Sequence, residues 1–151
     1  MKSKIHIIEV ENNETQSIEK IIQKIRENKI IYIKNKFYKN EEELYSIYEN
    51  GPAIILNSSG SSGKPRKCIH HLDNLKLSAA TSGQWLKEQG FELQNCLIFN
   101  TLPLNHISGL MPIIRSQTWG CNYINISPDL IKKTRELLLF TNNSKKNQKH
   151  L

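Results

Sequence analysis

One stretch decides how this chain is interpreted: PAIIL at 52–56, followed by NSSGSSGKPR at 57–66. The apolar run predicts a buried strand, and the apolar pair Cys68-Ile69 predicts a second strand after the loop. Between them, glycines allow backbone N–H groups to approach an anion, while hydroxyls and cations complete its binding. The stretch therefore predicts a phosphate-binding loop between two strands.

Two other interpretations of this loop are weaker. Ser/Gly runs are often flexible linkers, but linkers are normally flanked by polar sequence, whereas apolar residues flank this one. The P-loop of nucleotide hydrolases needs four residues between its glycines, a hydroxyl residue after its lysine and a following helix. Here two residues separate Gly60 from Gly63, Pro65 follows Lys64, and the next residues favour a strand.

The composition limits the classes of function. The chain has 151 residues, about one domain, and 38% of them are hydrophobic, which is enough for a core. Its net charge of +7 is spread along the chain, without a basic stripe that alternates with aromatic residues. We therefore interpret the charge as solvated surface and expect no nucleic-acid binding.

The cysteines and the N-terminus predict a cytoplasmic location. Cys68, Cys96 and Cys121 form no Cys-x-x-Cys pair, which argues against a metal site, and their odd number argues against a disulfide scaffold. The first residues carry no long apolar run, so a secretory signal is not expected. No stretch approaches the roughly 18 apolar residues of a membrane span.

Hydrophobic spacing predicts alternating strands and helices. Ile18, Ile21, Ile22 and Ile25 recur at helical spacing after Ser17, which predicts a helix that packs on the core. Short apolar runs predict strands at 5–10, 30–33, 52–56, 67–70, 95–99 and 122–126. Further helices are predicted at 41–48 after Asn40, 72–89 before Gly90, 106–116, and 129–139 after Ser127 and Pro128.

This alternation predicts an α/β fold with a largely parallel sheet and flanking helices. We expect one domain over residues 1–140, with its recognisable motifs within 52–126, and a polar, disordered tail over 141–151. Ligands of such sheets bind at the carboxyl ends of strands, and the Ser/Gly loop follows a strand at such an end.

The loop resembles the signature of the adenylate-forming, AMP-binding acyl-CoA synthetases. The family pattern is roughly Thr/Ser-Ser-Gly-Ser/Thr-Thr/Ser-Gly-x-Pro-Lys, and residues 58–65 match it, with Arg66 in place of the usual lysine. A second stretch, LPLNHISGL at 102–110, resembles the next family motif, Leu-Pro-x-x-His-x-x-Gly. The two motifs occur in the family's order, which is more specific than either alone.

The resemblance implies functional residues. It implies that the phosphates of ATP, bridged by Mg²⁺, are held by the loop residues Ser58, Ser59, Gly60, Ser61, Ser62, Gly63 and Arg66. It also places His106 near the acyl carboxylate and the adenylate, as a catalytic and substrate-binding residue. The implied reaction joins a carboxylate to AMP and then transfers the acyl group to coenzyme A.

Within the family, the motifs resemble the o-succinylbenzoate–CoA ligase branch of menaquinone and phylloquinone synthesis, in its cyanobacterial form. GSSGKPR at 60–66 and LPLNHISGLMP at 102–112, followed by Arg115, carry this likeness. A cation near the acyl site favours a dicarboxylate, so Arg115 is predicted to bind the second carboxylate of the substrate. The competing interpretation is a surface arginine at a helix end.

The resemblance covers only the first part of the family's large domain. No Tyr-Gly-x-Thr-Glu-like motif, no Thr-Gly-Asp motif and no small domain with a catalytic lysine follows. We therefore expect a fragment of a ligase that is inactive alone, with the missing part on a possible second chain. The alternative is a non-catalytic α/β remnant that binds a nucleotide or a partner.

Overall fold

The computed structural model describes residues 4–11, 15–36, 51–58 and 66–147. The strands are β1 (Ile5–Val10), β2 (Ile30–Asn35), β3 (Ala53–Asn57), β4 (Lys67–His71), β5 (Leu97–Asn100) and β6 (Asn122–Asn125). The helices are α1 (Thr15–Arg26), α2 (Leu72–Glu88), α3 (Ile107–Trp119), α4 (Pro128–Ile131) and α5 (Thr134–Asn147), with a short 3-10 turn at Leu93–Asn95.

The described strands form two sheets. In the larger sheet the order is β1-β2-β3-β4, with β1, β2 and β3 parallel and β4 antiparallel to β3. The smaller sheet is the parallel pair β5 and β6, joined by α3. The predicted α/β class with a largely parallel sheet is confirmed.

One hydrophobic core joins the larger sheet to three helices. Alternate residues of β2 and β3, such as Ile31 and Ile54, pack in the same cluster as Ile21 of α1, Ala79 of α2 and Ile113 of α3. All five are fully buried. The opposite face of the sheet holds a smaller cluster of Ile30, Tyr32 and Ile55. Strand β2 is therefore buried on both faces, as parallel sheets require.

The predicted helix after Ser17 forms for the expected reason. Ile18, Ile21 and Ile25 are buried along one face of α1, and Ile22 packs beside them. The predicted strands also form, within one or two residues of their expected ends. The helix expected at 41–48 lies outside the described residues.

The C-terminal part of the chain differs from the prediction. Ser127 caps a helix as expected, because its side chain accepts a hydrogen bond from the Asp129 N–H at 3.3 Å. The single helix expected at 129–139 is instead two, α4 and α5, which are interrupted at Lys132 and Lys133. Lys132 contacts Asp129 at 3.6 Å, and Lys133 contacts Glu136 at 3.3 Å.

The predicted disordered tail is corrected over residues 141–147. Helix α5 continues through Asn147, past the expected domain end at residue 140. Its apolar first half, including Phe140, starts the helix, and each further residue then adds a hydrogen bond at little cost. Within the described residues, no helix combines the length and apolar character needed to cross a membrane.

The core predicts that two leucine-to-alanine substitutions differ strongly in their effect on the free energy of unfolding. Leu110 of α3 is fully buried, whereas Leu77 of α2 is 67% exposed. Leu110→Ala should lower the free energy of unfolding by about 2–5 kcal/mol through the cavity it leaves. Leu77→Ala should change it by less than about 0.5 kcal/mol. Urea unfolding of both variants measures the difference, and equal losses would contradict this description of the core.

Candidate functional site

The ends of the Ser/Gly loop are held together by the β3–β4 hairpin. Asn57 lies opposite Lys67 in the antiparallel register. Beyond this pair, the Ser58 N–H donates to the Arg66 carbonyl at 2.7 Å, and the Arg66 N–H donates to the Ser58 hydroxyl oxygen at 3.1 Å. The loop therefore leaves and re-enters the sheet at one closed point.

The structure places two of the predicted phosphate-binding residues. Ser58 and Arg66 lie at this closed point, and Arg66 is exposed. The other predicted phosphate ligands, Ser59, Gly60, Ser61, Ser62 and Gly63, lie outside the described residues. Their contact with phosphate stays a prediction.

A buried tyrosine supports the start of the loop. Tyr32 of β2 is fully buried, and its hydroxyl lies 2.9 Å from Asn57 Nδ2, which donates to it. The hydroxyl also lies 3.2 Å from Asn57 Oδ1. This pair fixes the last residue of β3, so the loop begins from a position held by the sheet.

His106 forms the N-terminal boundary of α3. Its backbone is extended, and its carbonyl accepts hydrogen bonds from the N–H groups of Gly109 and Leu110 at 3.1 and 3.0 Å. Its own N–H donates to the Pro103 carbonyl at 3.2 Å. The half-buried imidazole makes no capping hydrogen bond, so its ring is not committed to holding the helix.

Gly109 allows the turn before α3 to pack closely against the helix. A Cβ atom at this position would overlap the carbonyl group of Pro103. Any side chain at residue 109 would therefore displace the turn that carries His106. The glycine of the second motif is explained here by close backbone contact.

A buried amide organises the same turn. Asn100, at the end of β5, is 2% exposed. Its Nδ2 donates to the carbonyl oxygens of Gly109 at 3.0 Å and Leu102 at 3.3 Å, and to the Tyr123 hydroxyl at 2.9 Å. Its Oδ1 accepts from the Leu102 N–H at 3.1 Å. One side chain thus joins β5, β6 and the turn before α3.

Tyr123 lies in a low-dielectric environment within this network. Burial raises the pKa of its hydroxyl, and the hydrogen bond from Asn100 opposes part of that rise. The phenol is therefore neutral at physiological pH and acts as a hydrogen-bonding support.

The structure does not bring Arg115 to His106. Nine residues of helix separate them, which is about 13 Å along α3 and about half a turn around it. Arg115 instead lies over the Trp119 ring, with its guanidinium carbon 6.0 Å from the ring centroid. Its Nε is buried and has no hydrogen-bond partner among the described residues.

Trp119 is fixed by helix α2. Its indole Nε1–H donates to the Ala79 carbonyl at 2.7 Å. Gly83 permits this approach, since a Cβ there would lie 2.6 Å from Trp119 Nε1. The packing role of Gly83 depends on Trp119, 36 residues away along the chain, so the sequence alone does not indicate it.

Sequence reasoning missed Asn100 and Tyr123 as well. The available signal was a polar residue that ends the apolar strand LIFN just before the second motif. Its partners come from β6 and α3, so only the folded arrangement identifies them.

Comparisons with known proteins give a limited result. No protein-family model matches the chain, and no curated protein matches it. Among solved structures, it is similar to the structure of McyG A-PCP complexed with phenylalanyl-adenylate, at 20% identity and a TM-score of 0.48. The likeness covers 94% of this chain and 22% of that one, so this chain spans about a fifth of its length.

The hydrogen bonds of the buried Asn100 amide predict that this residue is important for stability. Asn100→Ala removes the partner of one N–H and of three oxygen acceptors, and unpaired buried polar groups each cost about 1–3 kcal/mol. We expect the free energy of unfolding to fall by at least about 2 kcal/mol. Asn122→Ala, at an exposed site on β6, is the matched control and should have little effect. If the two variants unfold at the same urea concentration, Asn100 does not organise this region.

Proposed function

We propose that residues 58–66 bind the phosphates of ATP·Mg²⁺, and that the chain carries the phosphate-binding part of an adenylate-forming acid–CoA ligase. The observation that supports this most is the closed loop, in which Ser58 and Arg66 bond to each other across the end of a hairpin. The sequence between them supplies hydroxyls, two glycines and Lys64.

The closed ends matter because they lower the cost of ordering the loop around an anion. A free Ser/Gly segment loses much conformational entropy when it binds, whereas a loop with fixed ends loses less. Arg66 adds a cation at the point where the loop closes, with a planar fork suited to phosphate oxygens.

In the proposed reaction, an oxygen of the substrate carboxylate attacks the α-phosphorus of ATP. The bond to the β-phosphate oxygen breaks, and pyrophosphate leaves with its Mg²⁺. We propose that His106 lies beside the carboxylate and the new adenylate. The N-terminus of α3 favours negative charge there, because its first N–H groups point outward from the helix.

The finer parts of the proposal come from the sequence analysis. They are o-succinylbenzoate as the acyl substrate, coenzyme A as the acceptor, a possible second chain with the remaining catalytic groups, and a cytoplasmic location. All four stay predictions.

Nucleotide binding tests the phosphate site directly. Calorimetry of the full chain with ATP·Mg²⁺ should show binding, and Arg66→Ala should weaken it by about tenfold through the loss of one charge-assisted contact. Gly63→Val should weaken it as well, by blocking the approach of the backbone. Arg135→Ala, an exposed arginine on α5, is the control. Unchanged affinity in both loop variants would refute the assignment.

Pyrophosphate exchange separates the ligase from the non-catalytic alternative. ATP–pyrophosphate exchange driven by o-succinylbenzoate would be absent from the 151-residue chain alone and restored by a partner that carries the missing motifs. If the chain binds ATP and no such partner restores pyrophosphate exchange, the result supports the non-catalytic, nucleotide-binding alternative.

The Arg115 hypothesis has its own test. Its unpartnered buried Nε favours an anion, so any carboxylate bound by Arg115 lies on the Trp119 side of α3. Arg115→Leu should lower the affinity for o-succinylbenzoate about tenfold and leave that for benzoate unchanged. Equilibrium dialysis of the full chain with ATP·Mg²⁺ measures both, with Arg135→Leu as the control. A retained preference for the dicarboxylate would exclude Arg115 as the specificity residue.

A further inference from the structure

We propose that Cys96 and Cys121 form a dithiol site that reacts with low-molecular-weight disulfides and closes into a reversible intramolecular disulfide. The proposal does not depend on the proposed ligase function. In the sequence 24 residues separate the two cysteines, so their proximity follows only from the fold.

The register of the smaller sheet brings the two cysteines together. Strands β5 and β6 are parallel, and their first paired residues are Leu97 and Asn122. Cys96 and Cys121 each come one residue earlier, so they face each other at the starts of neighbouring strands. Neighbouring strands lie about 4.8 Å apart, within the Cα separations of about 4.4–6.8 Å that disulfides span.

The backbone at both positions leaves room for the bond to form. Both cysteines come just before the first paired residues of the two strands. Cys96 is extended and follows the 3-10 turn, and Cys121 follows Gly120, which has a φ of 69° at the end of α3. Small adjustments of these connections can bring the sulfurs to bonding distance without moving β5 or β6.

The thiols are both reduced and half-buried in the structure. The Cys96 thiol donates to the Glu92 carbonyl at 3.5 Å. Burial raises the pKa of the Cys121 thiol, and the negative charge of a nearby Cys96 thiolate raises it further. The influence of Cys96 on Cys121 agrees with two sulfurs in close proximity.

The reaction is a thiol–disulfide exchange in two steps. The Cys96 thiolate attacks one sulfur of a low-molecular-weight disulfide, such as oxidised glutathione, and one thiol leaves. The Cys121 thiol then loses its proton and attacks the Cys96 sulfur of the mixed disulfide, and the second thiol leaves. The two cysteines are oxidised, and the external disulfide is reduced to two thiols.

The third cysteine is the internal control. Cys68 lies on β4, in the other sheet, where Leu56 is its neighbour in the register. It is half-buried like the other two, so accessibility alone does not separate it from them. Only the strand register distinguishes the proposed pair.

Peptide mapping after oxidation tests the proposal. The reduced full chain is treated with oxidised glutathione, quenched with an alkylating agent and digested for mass spectrometry. Wild type and Cys68→Ser should yield a linked Cys96–Cys121 peptide. Cys96→Ser and Cys121→Ser should yield none, and their remaining thiol should accumulate as the mixed disulfide, because the second thiol that resolves it is missing.

Folding is controlled by repeating the reaction in concentrated guanidinium. In the folded chain, the yield of the Cys96–Cys121 peptide should exceed that of either peptide linked to Cys68 by at least about tenfold, because the fold holds the two cysteines close together. In the unfolded chain this preference should disappear. A stable glutathione adduct on Cys96 of the folded wild type, or equal links to Cys68, would overturn the proposal.

Discussion

Burial of one face of the β1–β2–β3 sheet beneath three helices is the interaction on which the rest of the structure depends. Ile31 and Ile54 present this face, and α1, α2 and α3 contribute to the same apolar cluster. Parallel strands cannot be joined by short hairpins and are connected by helical crossovers instead. These crossover helices cover the faces of the sheet. The first motif begins at the end of β3 in this sheet, and the second leads into α3, one of the covering helices.

The antiparallel strand β4 changes what the Ser/Gly loop can do. After a parallel strand, a chain normally crosses over through a helix and returns far away. Here it returns directly beside β3, and Ser58 and Arg66 close the loop with two hydrogen bonds. The two ends of the Ser/Gly loop are thereby held at a defined place, and Tyr32 on the neighbouring strand fixes Asn57, the last residue of β3 before the loop.

Much of the fold could be predicted because local patterns specify it. The isoleucine spacing of α1 and the apolar runs of β2 and β3 need no tertiary information. The break between α4 and α5 was missed because neither glycine nor proline marks it at Lys132 and Lys133. Asn100 was missed because its partners arrive from β6 and α3. In the candidate site, residue types were readable from the sequence, but their distances were not.

In the β5–α3–β6 unit, the length of one strand separates the proposed His106 site from the proposed cysteine pair. Asn100 and the turn to His106 lie at the carboxyl end of β5, whereas Cys96 lies at its amino end, about 13 Å away at the rise of an extended chain. Cys121 lies at the same amino end of β6. A bond between the cysteines therefore joins the strand starts and leaves the buried amide in place. Oxidation should then alter the stability of the unit without removing the hydrogen bonds that position His106.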